Sequence, residues 1–410
     1  MENKETRFRL IVVILLFLCV FSIQVAIFSL PPLFSEIGKE IRLTKAEMGV
    51  IFGVAQLGAM FLSFIAGALS DKIGSRWAMG AAMLLVTVGG GLRAFVNSAP
   101  GMIAYMFVIG GGVAFAGPNI AKALGTWFPP RDLGKANGIV YSGMTIGAGV
   151  GLAAGSSFIS PLFGGWRCAV VVLASFSLTI GILWILLFRD KTSDLVTKNS
   201  THDIVGNAKK VFKVKDVWLL GIFFGIFSSG TLAVSGLLPV ILEEKGVPRP
   251  GELTSIMLWA AAAGSIIGGL ASDKIGRRKL LLILFALIMG PTIIALPLAT
   301  GVPLVITLII SGLTGGAVIT ILLAIPAEHQ KIGPSLAATA VGLMLMFSNA
   351  GGFVGPVAAG TLMDWSGSPW VGFAFLGLAY FVAAGVVTTT RETGAKSKQN
   401  LSSTPNVTKT

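Results

Sequence analysis

A short charged loop occurs twice in the chain, each time between two long apolar stretches. The copies read GALSDKIGSR at residues 67–76 and GLASDKIGRR at residues 269–278. Subtracting 71 from 273, the positions of the two aspartates, gives a period of 202 residues, about half of the 410. A carboxylate, a glycine and several cations between apolar runs of about twenty residues predict a tight turn joining two membrane helices. Its duplication predicts two similar halves.

The composition places the whole chain in a membrane. Hydrophobic residues make up 54% of it and charged residues only 12%, with a mean hydropathy of +0.85. A soluble fold does not bury that much apolar surface. The apolar runs are continuous rather than alternating, so the spans are predicted to be helices and not barrel strands.

Three patterns resemble one known family. The loop pattern G-x-x-S-D-x-x-G-x-R, present in both halves, resembles the signature loop of the major facilitator superfamily of secondary transporters. The stretch WFPPRDLGKANG at residues 127–138 is similar to a turn found in facilitators of organic and inorganic anions. A glycine ladder in the fifth span resembles that superfamily's fifth helix, and a shorter ladder repeats in the eleventh. Its members are Gly143, Gly147, Gly149, Gly151 and Gly155, then Gly351, Gly355 and Gly360.

The resemblance implies an all-α membrane protein with twelve transmembrane helices in two pseudo-symmetric six-helix bundles. We expect the first bundle at residues 1–190 and the second at residues 217–388. The polar segment 191–216 is predicted to be a cytoplasmic linker, because it has too little apolar surface for a core. The polar tail 389–410 is predicted to be disordered.

The distribution of positive charge predicts the topology. Of the 31 Lys and Arg residues, 23 fall on one predicted side, six on the other, and two inside spans. By the positive-inside rule both termini, the linker and the duplicated loops lie in the cytoplasm, with the protein in the cell membrane. The net charge of +13 is therefore a topology signal rather than a nucleic-acid footprint.

The duplicated loop supplies the candidate gating residues. In the family such a charge cluster holds the cytoplasmic gate shut, so we expect Asp71 to pair with Arg76 or with an arginine of a neighbouring span. Gly74 is expected to allow the sharp turn and Gly67 a close helix contact. The candidate gating residues are Gly67, Asp71, Gly74, Arg76, Asp273, Gly276, Arg277 and Arg278.

Two cations inside spans, Lys122 and Arg93, lead the candidates for solute binding. Each lies near a span end, so snorkelling to the interface is the alternative to solute contact. Asn119 lies three residues before Lys122, on the same helix face. The other candidates are polar side chains at mid-span: Gln24, Tyr141 and Asn349.

The favoured function is alternating-access transport of a small organic anion such as a carboxylate. The alternative is an exporter of hydrophobic or cationic compounds, and a nitrate carrier is disfavoured because the second and eighth spans have no arginine. No Asp or Glu lies deep in a predicted span, so a coupled proton or a counter-anion both remain open. With two cysteines and two histidines in the chain, we expect no enzyme activity, cofactor or metal. The predicted partners are the solute and the lipid bilayer, and the predicted state is a monomer.

Overall fold

The computed structural model describes residues 2–190 and 204–394, and within these residues the regular structure is helical throughout. The first half contains α1 (Glu2–Phe28), α2 (Phe34–Ile41), α3 (Lys45–Leu92), α4 (Ala99–Trp127), α5 (Pro130–Ala154), α6 (Ser160–Phe163) and α7 (Trp166–Leu187). The second half contains α8 (Ile204–Phe212), α9 (Lys215–Glu244), α10 (Pro250–Ile275), α11 (Arg278–Ala295), α12 (Gly301–Glu328), α13 (Gly333–Ser366) and α14 (Pro369–Thr388).

Helix α3 contains two of the predicted spans. Its 48 residues would extend about 72 Å at 1.5 Å per residue, more than twice the thickness of a bilayer core. The helix turns back at Gly74, whose φ of 81° and ψ of 164° are not helical. Among the described residues, eleven helical segments are long and apolar enough to cross a membrane. Counting α3 as two spans gives the twelve that the sequence predicted.

The amino end of α3 is fixed by the capping box that its sequence encodes. The Thr44 hydroxyl accepts from the Glu47 amide at 3.1 Å, and the Glu47 carboxylate accepts from the Thr44 amide at 2.9 Å. Each bond satisfies an amide that the helix itself leaves unpaired.

The two glycine ladders pack equivalent helix pairs. A Cβ added at Gly147 on α5 would lie 2.5 Å from the Phe21 carbonyl of α1. A Cβ added at Gly355 on α13 would lie 2.2 Å from the Ser229 carbonyl of α9. Only glycine allows backbones to approach this closely. The same contact therefore occurs once in each half.

The two bundles meet at the end of the molecule opposite the duplicated loops. We call this end, which contains Lys45 and Asp364, the latch end, and the end that contains Gly74 and Gly276 the loop end. A Cβ at Gly360 of α13 would lie 2.3 Å from the Lys45 carbonyl, and one at Gly251 of α10 would lie 2.1 Å from the Leu152 carbonyl of α5. Helices of opposite bundles are thus in backbone contact at the latch end.

The same helices stand apart at the loop end. A Cβ at Gly67 of α3, Gly138 of α5 or Gly342 of α13 would meet nothing within 4 Å. The expected close helix contact at Gly67 is therefore wrong for this conformation, which is closed at the latch end and open at the loop end.

The segment between the bundles is helical where it is described. Residues 191–203 lie outside the described residues, and α8 follows them. Val211 of α8 is 1% exposed, and the Trp218 indole of α9 donates to the Phe212 carbonyl at 2.9 Å. The end of the predicted linker is thus docked on the second bundle rather than solvated. Most of the predicted tail, residues 395–410, also lies outside the described residues.

Candidate functional site

The first duplicated loop is held by a cation from another helix. Lys122 on α4 places its Nζ 3.2 Å from Asp71 Oδ1 and 3.1 Å from the Ser70 carbonyl. Its side chain is 28% exposed, whereas that of Asp71 is 79% exposed. The expected pairing of Asp71 with Arg76 or with an arginine of a neighbouring span is therefore wrong, and the leading solute-binding candidate is joined to the leading gating candidate.

Asn119 lies one turn before Lys122 and is fully buried. Its Nδ2 donates to Ser70 Oγ at 2.9 Å and to the Phe115 carbonyl at 2.7 Å. Asn119 thus links α4 to α3 one helical turn from the Lys122–Asp71 pair. Its Oδ1 is buried and accepts no hydrogen bond from the described residues.

A carboxylate that the sequence did not single out caps the helix that follows this loop. Asp190, just after α7, accepts from the Ser75 amide at 3.1 Å and the Arg76 amide at 3.3 Å. These amides begin the returning part of α3, so Asp190 caps a helix across 115 residues of sequence. A Cβ at Gly74 would lie 2.9 Å from the same carboxylate. Gly74 therefore provides both the predicted turn and the space for Asp190.

The second loop has a different charge arrangement. Arg278 donates from Nη2 to Asp273 at 2.7 Å, and from Nη2 and Nε to the Glu328 carboxylate at 2.8 and 3.1 Å. Its guanidinium also contacts the Ser272 hydroxyl. Arg278 is 8% exposed, whereas the neighbouring Arg277 faces solvent. One arginine thus joins the ends of α10 and α12, in the place where a lysine joins α3 and α4 in the first half.

The closing carboxylate also recurs in the second half. Glu392 follows α14 and accepts from the Lys279 amide at 3.2 Å. It lies 202 residues after Asp190, and an arginine precedes each of them, at 189 and 391. The repeated Arg-Asp and Arg-Glu pairs at the 202-residue period were the sequence signal for these caps.

Arg93 does not snorkel to the membrane interface, so the alternative to solute contact is wrong for this residue. It is 0% exposed at the latch end of α3. Its guanidinium donates to the Ala26 carbonyl at 3.1 Å, to the Gly90 carbonyl at 3.3 Å and to Met106 Sδ at 3.3 Å. Among the described residues no carboxylate pairs with it, and backbone carbonyls of α1 and α3 satisfy it instead.

The remaining candidates, Gln24, Tyr141 and Asn349, lie on α1, α5 and α13. A Cβ at Gly147 would lie 3.1 Å from the Cβ of Gln24, which places Gln24 beside α5. Tyr141 is 45% exposed on the loop-end part of α5, and Asn349 of α13 is partly buried. The structure does not bring Gln24, Tyr141 or Asn349 into hydrogen-bond contact with Lys122.

Gln56 and Ser228, from opposite bundles, both lie close to Gly352, and none of these three residues was a predicted site residue. A Cβ at Gly352 of α13 would lie 3.2 Å from Gln56 Cγ on α3 and 3.4 Å from Ser228 Oγ on α9. Trp259 of α10 lies against Gly149 of α5 in the same way, with its Nε1 2.5 Å from the Cβ position. Polar groups of both bundles therefore line the middle of the interface.

The latch end carries a polar contact between the bundles. Asp364 of α13 accepts from the Lys45 amide at 3.1 Å and from the Ala46 amide at 2.8 Å. The Lys45 ammonium pairs with Glu244 of α9 at 2.9 Å. Both contacts attach the amino end of α3 to the second bundle.

His329, which follows α12, is an interior side chain. It is 3% exposed, its Nε2 lies 2.9 Å from Asp216 Oδ2, and its Nδ1 accepts from the Lys331 amide at 3.2 Å. Within the described residues, no group of three or more His, Cys, Asp or Glu side chains is arranged to hold a metal ion.

Comparison with known proteins gives one consistent result. A family model described as Major Facilitator Superfamily matches residues 16–258 and again 249–408. The "Probable galactarate/D-glucarate transporter GarP" of Escherichia coli K12 is 25% identical over 401 residues, covering 85% of this chain and 87% of its own. The "Probable sulfoacetate transporter SauU" of Cupriavidus necator is 25% identical over 373 residues, covering 85% and 86%.

A solved structure shows the same fold. The bacterial homologue of the human lysosomal transporter Spinster, in an inward-facing and unoccupied conformation, aligns with a TM-score of 0.77 at 15% identity. The alignment covers 93% of this chain and 95% of that one.

Proposed function

Because the chain belongs to the Major Facilitator Superfamily, we propose that it transports a small organic anion of the carboxylate class by alternating access between its two bundles. GarP and SauU, by their names, handle acidic solutes, a sugar diacid and a sulfonated carboxylate. The loop end is the cytoplasmic end, since most of the Lys and Arg residues lie there. The conformation described above then faces the cytoplasm.

The Lys122–Asp71 pair carries the proposal. A membrane-embedded ammonium is costly unless it is paired or reaches water. Lys122 is paired with a carboxylate that is itself 79% exposed, so another carboxylate can take its place with little rearrangement. An anionic solute that enters at the open loop end meets the Lys122 ammonium, which already pairs with a carboxylate, that of Asp71.

This arrangement connects solute binding to the gate. When a solute carboxylate pairs with Lys122, Asp71 loses its ion pair within the first bundle. Asp71 is then free to pair across the interface when the loop end closes. Asn119 supports the pair from inside the bundle, because its Nδ2 donates to the hydroxyl of Ser70, the residue before Asp71.

Uptake into proteoliposomes tests the solute class. We expect saturable uptake of galactarate, glucarate or sulfoacetate and none of the neutral sugar galactose. Lys122→Gln should raise KM about tenfold or more, because a hydrogen bond to a charged group contributes about 1.5–3 kcal/mol. Lys122→Arg keeps the charge and should recover part of the loss.

The matched control is Lys135→Gln. Lys135 is an exposed lysine near the start of α5. It should leave KM unchanged. An unchanged KM in correctly inserted Lys122→Gln protein rejects Lys122 as a solute ligand. Transport of a hydrophobic cation, with no uptake of any acid in the panel, favours the exporter alternative over the proposal.

A further inference from the structure

A groove lies between α3 and α7 on the outer surface of the first bundle. Its volume is about 280 Å³, and its lining is apolar apart from Thr87 and the edge of Trp77. Gly80 and Gly181 both line it. A Cβ added at Gly80 would lie 3.0 Å from Ile185 Cδ1, and one added at Gly181 would lie 2.9 Å from Met83 Cβ, so the two glycines allow α3 and α7 to pack closely along the groove.

The groove faces the membrane rather than the second bundle. Helix α7 packs on α1 and α3 of its own bundle. Along the groove Trp77 is 57% exposed, Leu84 58% and Ile182 48%. Large apolar side chains exposed on membrane-spanning helices contact acyl chains.

The length of the groove matches one leaflet. It follows α3 from Trp77 to Thr87, ten residues, or about 15 Å at 1.5 Å per residue. That is half of a hydrocarbon core about 30 Å thick. A chain entering at Trp77 therefore ends near the middle of the bilayer.

A cation lies at the entrance of the groove. Arg76 donates from Nε to the carbonyl of Ile185, which lines the groove, at 2.7 Å. Its Cζ lies 5.8 Å from the centre of the Trp77 ring. Within the described residues its two terminal nitrogens have no carboxylate partner. The guanidinium is thus held at the membrane interface with its phosphate-binding edge free.

The second half provides an internal comparison. At the 202-residue period, Leu282 replaces Gly80, Met289 replaces Thr87 and Ala383 replaces Gly181. Leu282 is 0% exposed, and Met289 and Ala383 are each 1% exposed. The matching positions of the second half thus carry larger side chains, and these are buried.

We propose that this groove binds one acyl chain of an anionic phospholipid from the leaflet at the loop end, with the lipid phosphate on Arg76. The chain lies along the groove between Trp77 and Thr87, and the phosphate completes the hydrogen bonding of the guanidinium. Such a lipid bridges α3 and α7 next to the turn at Gly74.

Native mass spectrometry of the purified full-length protein tests the site, with dioleoyl phosphatidylglycerol and dioleoyl phosphatidylcholine as probes. The wild-type protein should retain one phosphatidylglycerol at least fivefold more strongly than phosphatidylcholine. Filling the groove with Ala81→Ile and Thr87→Met, the residue types of the second half, should weaken both lipids at least fivefold. Arg76→Gln should remove the preference for phosphatidylglycerol while leaving chain binding.

Two control variants separate the groove from general effects. Val88→Met changes the neighbouring exposed residue outside the groove, and Arg131→Gln removes an arginine whose side chain is 85% exposed. Neither should change retention. Where the double variant does not purify as a single species, Thr87→Met alone should weaken retention at least threefold. No saturable lipid on the wild-type protein, or equal retention by the groove-filled and Val88→Met proteins, overturns the proposal.

Discussion

Removing the Asp364 carboxylate should open the latch end. It accepts from the amides of Lys45 and Ala46 on the opposite bundle, at 3.1 and 2.8 Å. A hydrogen bond to a charged group contributes about 1.5–3 kcal/mol. Because Asp364 is exposed and water replaces it, we take about 1–2 kcal/mol for both bonds together. Asp364→Ala should then raise the ratio of latch-open to latch-closed protein by about 5- to 30-fold. Asp364→Asn keeps one acceptor and should give a smaller rise.

Distances between spin labels measure this shift. Labels at Lys39→Cys and Ser366→Cys, in a Cys168→Ser background, report the separation of the bundles at the latch end; Cys19 is buried and should not label. Double electron–electron resonance should show a longer-distance population in the Asp364→Ala protein.

The control for this measurement is Glu252→Ala. Glu252 lies at the latch end, but its partner Arg249 is three residues away on the same chain segment. This change should leave the distances alone. A distance distribution identical in wild-type and Asp364→Ala protein, both folded, would refute the role of the latch.

Three further predictions concern the loop end. Asp190→Ala removes the cap on Ser75 and Arg76 and should cost about 0.5–2 kcal/mol, seen as a lower Tm. Arg278→Met leaves the Asp273 and Glu328 carboxylates without their shared cation and should lower Tm more than Arg277→Met, since Arg277 faces solvent. Asp71→Asn should reduce uptake at normal expression, and Asp273→Asn should reduce it less.

Each of these predictions has a clear contrary result. An Asp190→Ala protein with the wild-type Tm would mean that water caps the returning helix equally well. Equal Tm values for the Arg278→Met and Arg277→Met proteins would show that the buried position of Arg278 adds nothing to stability. Full uptake by Asp71→Asn protein would exclude Asp71 from the gate.

The duplication, the spans and the turns were available from the sequence, because membrane helices are defined by local properties. A run of apolar residues sets each span, and the glycine at position 74 sets the turn whatever surrounds it. The glycine ladders were also readable, since close packing of two backbones requires the missing side chain at regular spacing.

The partners of the charged residues were not available in the same way. Asp71 has Arg76 nearby in sequence, yet it pairs with Lys122, 51 residues away. Arg93 lies close enough to a span end to reach water, yet it turns inward to a carbonyl of α1. Which of several cations a carboxylate meets depends on how helices rotate against one another, and no local pattern records that. Only the repeated Arg-Asp and Arg-Glu pairs pointed to a contact, through the period itself.

The two closing carboxylates have a consequence for the history of the chain. Asp190 and Glu392 each end a half and return to the loop of that same half. A gene duplication therefore copies each capping carboxylate together with the helices that it holds, and neither half depends on the other for this contact. For the same reason, a break placed after Asp190 should leave both gene fragments encoding units that close by themselves, and we expect the co-expressed fragments to assemble.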